Sequence, residues 1–418
     1  MKTVCIVGNF SGRNAGDAAI LECLMEDVYS VQRDVLFSIP TINRAFVEKT
    51  YNRFPIEVVP LMPWNLSVKI FGVPIFRSAL RADLILLTDA ILFDRKLFNP
   101  LYNYLSTMAL VLPMAKKRGI PVVLYDVNLG PIGTKWGKVC MQRVLESSSV
   151  VIVRDQESVG MLSRIGLPTE GIVSGADCAL NIKLPSSEKI DEIIKKEGIL
   201  EERGRYMSFN ISSYLDVYVK GSKERISTDR FIEVISETMM KIIKELGKKI
   251  ILVITQPMDL GIAGRVLEKL KNPAEITLIS NKKYSHNELA GILSRVEIHI
   301  GMRTHSLIFA TSSCTPTIGI IATPKNRGYM QSIQQSNRMI EFGAGFTTKN
   351  LFSLIKNTWE ERAMIRDELK PIIQREKEKA RIGVKYLLPY LKGNNVTGNL
   401  TDRGEKTFIT NKIVEKRL

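Results

Sequence analysis

The residues best equipped for chemistry lie in one stretch, 296–330, VEIHIGMRTHSLIFATSSCTPTIGIIATPKNRGYM. Its apolar, partly β-branched opening at 296–300 predicts a buried strand, which Gly301 ends and lets turn. Arg303, Thr304, His305 and Ser306 follow at once, ahead of a helical run at 307–313. A second short strand, 316–321, leads to Thr323, Pro324 and Lys325 and another helical pattern. Open α/β sheets take their ligands at such strand ends. The unpaired N–H groups of a helix start favour an anion there by roughly 0.3–1 kcal/mol. Taken singly, Arg303 reads as a surface cap, His305 as a core histidine and Lys325 as one lysine of many. A guanidinium, an imidazole and an ammonium at consecutive strand ends instead point to a site for a small, multiply charged anion.

These groups need a scaffold, and the rest of the chain supplies its pattern. Up to about residue 185, apolar strand-like runs alternate with helical patterns, as stacked βα units do. Strands are expected at 4–7, 35–39, 56–59, 84–87, 122–125, 150–153 and 172–174. Between the first strand and a helix expected at 18–31 runs a glycine-rich loop, 8–17. It lacks the GxGxxG order and the Walker Lys-Ser/Thr, so dinucleotide and nucleotide-hydrolase readings are weak. Asp17 in this loop reads as a helix N-cap. After the strand at 150–153, Asp155 reads as another N-cap with Ser158 in its first turn, which leaves Arg154 at the strand tip. From there its fork could hold a carboxylate or phosphate bidentately.

A linker is expected at 183–187, around Pro185, and then a second α/β block with strands at 206–211, 250–255, 276–279, 296–300 and 317–320. A long polar helix follows at 349–391, interrupted near Pro371, and beyond 393 a poorly ordered tail. The expected architecture is α/β and GT-B-like. Two doubly wound Rossmann-like domains, 1–185 and 186–346, face a central cleft, and a helical segment occupies 347–392.

With 418 residues the chain can build two proper cores. Its five cysteines are scattered and odd in number, which predicts reduced core thiols in a cytosolic protein. Its three histidines, His286, His299 and His305, have no zinc-site spacing, so no metal is expected. No run of eighteen apolar residues occurs, and the stretch 108–114 reads as a buried helix segment. The Asn210-Ile211-Ser212 sequon carries no meaning in a cytosolic chain. The net charge of +16 is spread along the chain without a nucleic-acid recognition motif. Nucleic acid is therefore not expected as a partner. Anionic small substrates, and peripheral attraction to the anionic inner face of a membrane, fit the charge better.

Together these motifs resemble those of the polysaccharide pyruvyl transferase family over most of residues 1–345. The most specific element is Gly301 to Ala310, similar to the family's G-x-R-x-H-[SA] junction. Asn14-Ala15-Gly16-Asp17-Ala18-Ala19-Ile20 resembles its N-x-G-D-x-A-I signature, Arg154-Asp155 with Ser158 its R-[DE]-x-x-S element, and Pro324-Lys325 its downstream lysine. The resemblance implies transfer of a pyruvyl group from phosphoenolpyruvate to sugar hydroxyls of a cell-surface glycan or lipid-linked precursor. It implies a co-substrate rather than a bound cofactor. It further implies that Arg154, Arg303, Lys325 and Ser306 hold the donor, that His305 and Arg154 act in catalysis, and that Asn14, Asp17, Asp89 and Asn128 face the acceptor. One segment departs from the pattern: Thr88 to Asp94 stands where the family has a glycine-rich turn. The residues alone also admit a glycosyltransferase using a nucleotide-sugar, and a family member that binds without turnover.

Overall fold

The computed structural model describes residues 1–61, 73–94, 104–199, 204–213, 226–271 and 273–392, so the tail expected beyond 393 lies outside the described residues. The chain forms two compact units. One comprises Met1–Gly12, Ile20–Cys178 and Glu378–Leu418; the other comprises Arg13–Ala19 and Ala179–Lys377. The sequence reading draws contiguous blocks, whereas these units are discontinuous: residues 13–19 belong with the second unit, and residues from Glu378 on belong with the first.

The first unit's strands are β1 (Lys2–Val7), β2 (Val35–Thr41), β3 (Ile56–Pro60), β4 (Leu84–Leu87), β5 (Leu92–Asp94), β6 (Val122–Val127), β7 (Leu129–Ile132), β8 (Val150–Val153) and β9 (Val173–Ser174). Seven of them make a parallel sheet in the order β3-β2-β1-β4-β6-β8-β9, while β5 and β7 form a separate two-stranded pair. The second unit contains β10 (Tyr206–Asn210), β11 (Lys249–Ile254), β12 (Ile276–Ser280), β13 (Ile298–Gly301), β14 (Thr317–Ile321) and β15 (Met339–Glu341). They form a six-stranded sheet ordered β12-β11-β10-β13-β14-β15, and its pairings are parallel. The strand order reverses between β1 and β4, and again between β10 and β13, as in doubly wound folds. Strands such as β4 and β14 are buried throughout, which is why they read as unbroken apolar runs rather than alternating ones.

The short strands β5, β7 and β15 were not legible, because three or four residues carry no usable periodicity. Two helical expectations change as well. The long helix Thr348–Ala380 runs through Pro371 without a break, and the interruption falls at Arg381, ahead of the helix Ile382–Leu391. Burial of Ile372 and Ile373 beside the proline compensates for the one backbone bond that it removes. In the helix Tyr104–Lys117, Met108, Val111 and Leu112 are buried, but Leu110 and Met114 are exposed. The apolar run there is thus not a wholly buried segment.

Inside the first unit the fully buried Tyr125 donates its hydroxyl to Asp27 Oδ2 at 2.8 Å. Gly383 of the last helix lies against the Tyr125 ring, where a Cβ would come within 2.4 Å of it. Burial raises the Asp27 pKa to about 6, against the opposing effects of the Tyr125 hydrogen bond and Arg381. The folded value lies above the unfolded one, so the carboxyl's contribution is complete below the unfolded pKa and is lost as the pH rises through about 6. Asp27→Asn, which can still accept the Tyr125 proton, should therefore raise unfolding stability at pH 8 by roughly 1–3 kcal/mol. Near pH 4 the two proteins should converge. Urea titrations at both pH values measure this.

Candidate active site

In the second unit, Arg303 stands just beyond β13, in extended backbone at the start of the helix Thr304–Thr311. Its backbone N–H donates to Asn210 Oδ1 at 2.9 Å, and the Asn210 amide donates to the Val253 carbonyl at 2.8 Å. The guanidinium grips the wholly buried Asp259 from two nitrogens, Nε to Oδ2 at 2.9 Å and Nη2 to Oδ1 at 2.8 Å. Asp259 also accepts from the Ser213 N–H at 2.9 Å and the Ser213 hydroxyl at 3.0 Å. Three neighbouring strands, β10, β11 and β13, are thereby tied at their C-terminal ends, on both sides of the point where the strand order reverses.

Beneath this loop, His299 of β13 is fully buried between Ser208 Oγ at 2.8 Å and Ser306 Oγ at 3.0 Å. The Ser306 hydroxyl donates to the Arg303 carbonyl at 2.8 Å. With that proton committed, His299 Nε2–H donates to Ser306, and the Ser208 hydroxyl donates to Nδ1. Burial drives the His299 pKa down to about 3, so the ring is neutral at physiological pH. Gly301 supplies space rather than a turn: a Cβ there would come within 2.7 Å of His299 Nε2 and 2.8 Å of Ser306 Oγ. Ser306, expected to touch the donor, is buried and holds the arginine's backbone instead.

The N-terminal segment 13–19 belongs to this same unit. Asn14, not Asp17, caps the helix Ala15–Val31: its Oδ1 accepts from the Gly16 N–H at 2.9 Å, and its amide donates to Asp17 Oδ1 at 2.6 Å. The helix therefore starts three residues before the position read from the sequence, because Asn14 takes up the Gly16 N–H ahead of Asp17. The Ala15 N–H donates to the Thr255 carbonyl at 2.9 Å, and Asn281 donates to the Arg13 carbonyl at 3.1 Å. This brings Gly16 onto His305: a Cβ at Gly16 would lie 2.0 Å from the imidazole Nδ1. Lys325 sits in the first turn of the helix Pro324–Ser332, beyond β14. Its neighbour Asn326 donates to the Met302 carbonyl at 2.6 Å and accepts from Thr304 at 3.3 Å, joining the two loops. Asn14, Asp17, Arg303, His305 and Lys325 thus fall within one unit.

Arg154, Asp89 and Asn128 lie in the first unit. Asp155 caps the helix Gln156–Arg164 as expected, accepting from the Ser158 N–H. Asn128 donates to Asp155 Oδ2 at 2.6 Å and is buried, as is Asp89. Arg154 is nearly buried and donates from Nη1 to Asp177 Oδ2 at 2.5 Å. Burial opposes its charge, but Asp177, Asp89 and Asp155 outweigh that and raise its pKa. Asp89 occupies a left-handed conformation, φ 69°. The segment that departs from the glycine-rich pattern therefore keeps a backbone suited to glycine, with a short polar side chain that tolerates it.

Asp259, Asn210, Ser213 and Asn326 escaped sequence reading. Asn210 drew notice only as part of a sequon. Its position as the last residue of β10, beside the reversal of strand order, was the usable signal. Among the described residues no group of three His, Cys, Asp or Glu side chains is placed to hold a metal ion.

The two parallel sheets and the long C-terminal helix make a GT-B-like α/β protein, and solved structures of that kind match it over nearly its whole length. UDP-GlcNAc 2-epimerase from Neisseria meningitidis, bound to UDP-GlcNAc, is 13% identical with a TM-score of 0.64, covering 93% of this chain and 100% of that one. Anabaena Alr3699/HepE in complex with UDP and glucose is 12% identical with a TM-score of 0.62, covering 93% and 99%. The UDP-GlcNAc 2-epimerase of Methanocaldococcus jannaschii is 16% identical with a TM-score of 0.62, again covering 93% and 99%. No curated protein matches the sequence. Residues 14–322 match the polysaccharide pyruvyl transferase family, and the chain belongs to it.

Removing the Asp259 charge tests how the site is held. Asp259→Asn removes the buried charge that Arg303, only 17% exposed, grips from two nitrogens, and should cost roughly 3–5 kcal/mol of stability. Chemical denaturation measures this, and a loss below about 1 kcal/mol would show that the pair is not structural.

Proposed function

We propose that the protein transfers a pyruvyl group from phosphoenolpyruvate to two hydroxyls of a polysaccharide or its precursor, forming a pyruvate ketal and releasing phosphate. The observation that carries this reading is the grouping of Arg303, His305 and Lys325 at the ends of the adjacent strands β13 and β14, in a chain of the pyruvyl transferase family. The start of the helix Thr304–Thr311 adds to it: the Arg303 side chain gives that helix no cap hydrogen bond, whereas Thr323 caps the next helix. An N-terminus of this kind favours a phosphate or carboxylate.

Phosphoenolpyruvate is a compact polyanion, and the proposed clamp meets it with two side-chain cations and a helix start. Reaction requires a proton on the methylene carbon, which leaves an oxocarbenium-like centre at C2. One sugar hydroxyl bonds to C2 and gives up its proton; the second displaces phosphate, which carries the other proton away. His305 is the residue we assign to the proton transfer at the methylene, since an imidazole can both give and take a proton near neutral pH. The cations stabilise the departing phosphate. Gly16 lies against the ring from the side, and Ser306 acts through the Arg303 backbone.

Phosphate release from phosphoenolpyruvate over a panel of glycans tests the reaction. Arg303→Ala and Lys325→Ala should each weaken donor binding by about 1.5–3 kcal/mol in calorimetry. His305→Gln should lower kcat roughly a hundredfold while changing donor affinity much less. Gly16→Val, which forces the imidazole aside, should follow His305→Gln rather than Arg303→Ala. Two of the solved structures of the same fold hold UDP-GlcNAc, or UDP and glucose, so the rival reading is a nucleotide-sugar enzyme. Thermal stabilisation by UDP and none by phosphoenolpyruvate would favour that rival.

A further inference from the structure

Two neighbouring helices of the first unit carry apolar side chains on faces that the core does not use. The helix Tyr104–Lys117 buries Leu105, Met108, Val111 and Leu112, and the helix Lys135–Ser147 buries Cys140, Met141, Val144 and Leu145. Those inner faces account for their packing. On the outside, Leu110 is 53% exposed, Met114 42%, Trp136 49% and Val139 45%. Spacings of four and three residues put each pair on one stripe of its helix. The helices pack against each other, and Lys116 Nζ donates to the Glu146 carbonyl at 2.6 Å, tying their C-terminal ends.

The exposed charges of the two helices are basic but for one. Lys117 continues the Leu110–Met114 stripe one turn on, and Arg143 continues the Trp136–Val139 stripe. Lys116, Arg118 and Lys135 are exposed beside them, and Glu146 is the acidic residue of the two helices. Exposed apolar residues, including a tryptophan, within a basic surround are the composition of a face that rests in a bilayer interface. A partner protein would ask for acidic complement; an anionic headgroup layer offers it over the whole face.

We propose that this helix pair docks the protein on an anionic lipid bilayer, with Leu110, Met114, Trp136 and Val139 entering the headgroup region and the surrounding lysines and arginines meeting lipid phosphates. The docking stands apart from the donor chemistry and does not depend on it. No helix among the described residues is long and apolar enough to cross a membrane, so the association is peripheral and reversible.

Flotation of the full chain with vesicles tests this. The protein should float with phosphatidylcholine vesicles containing a third phosphatidylglycerol, remain behind with phosphatidylcholine alone, and lose at least tenfold in affinity in half-molar salt. Leu110→Ser combined with Trp136→Ser should cost at least tenfold. Lys117→Glu combined with Lys135→Glu should do the same, and it carries the test if the serine variant does not fold. Trp136→Phe should still bind but lose the vesicle-induced blue shift of tryptophan emission. Calorimetry with phosphoenolpyruvate on the same variants separates loss of docking from loss of the donor site. Three results would overturn the proposal: no binding of the wild-type chain to anionic vesicles, binding that survives the serine pair, or a dimer in solution that the serine pair dissolves.

Discussion

The second unit's site rests on a buried carboxylate placed between a guanidinium and a serine. Asp259 accepts two bonds from Arg303 and two from Ser213. Without these four donors its desolvation would be costly; with them it acts as a clasp. Three strand ends that sheet pairing alone would leave to loop flexibility are held in register by it. The arginine is therefore held oriented, and in the proposed clamp an anion does not have to pay for immobilising a long side chain. Side-chain hydrogen bonding fixes the neighbouring loops in the same way, through Asn210 to β11 and through Asn326 to the carbonyl of Met302.

His299 shows how the sheet's interior accommodates the polar groups that this arrangement brings in. Ser208 and His299 are register partners across β10 and β13, and the ring bridges from the sheet to Ser306 on the helix above it. A charged group could not remain in that position, and burial keeps the ring neutral. A neutral imidazole can donate on one side and accept on the other, so it joins two hydroxyls without leaving either unsatisfied. His305, six residues on, lies outside the sheet against the N-terminal segment. Two histidines in one short stretch thus serve different ends, and only the alternation of a strand and the start of a helix separates them.

This division explains how far the sequence could be read. Long apolar runs such as β4 and β11 announced the parallel sheets, and the strand-end positions of Arg303, His305 and Lys325 followed from them. Asp155 as a helix cap was legible because capping is local and Ser158 lies three residues away. What escaped depends on contacts distant in sequence. Asp259 lies 44 residues from Arg303, and nothing in the Gln256-Pro257-Met258-Asp259 turn marks it as the arginine's partner. The membership of Asn14 and Asp17 in the second unit is set by the Thr255 and Asn281 contacts, which no local pattern encodes. The segment Thr88 to Asp94 departs from the glycine-rich pattern of the family, yet Asp89 itself holds a left-handed conformation, which its sequence alone does not announce.

The distribution of charge carries the same reasoning further. Both arginines singled out by motif are paired with a buried aspartate, Arg154 with Asp177 and Arg303 with Asp259. Each pair is close to neutral, so neither arginine acts as a bare positive charge. On the proposed reading, selectivity for a compact anion comes from orientation and from the helix start, with Lys325 adding charge at the neighbouring strand end. It follows that the surplus of +16 is not invested in these pairs. On a surface, screening makes single charges weak, and only a grouped face exerts a useful attraction. In the proposed docking, the helix pair with Lys117, Lys135 and Arg143 is such a face, and its exposed leucine and tryptophan add an apolar surface to it.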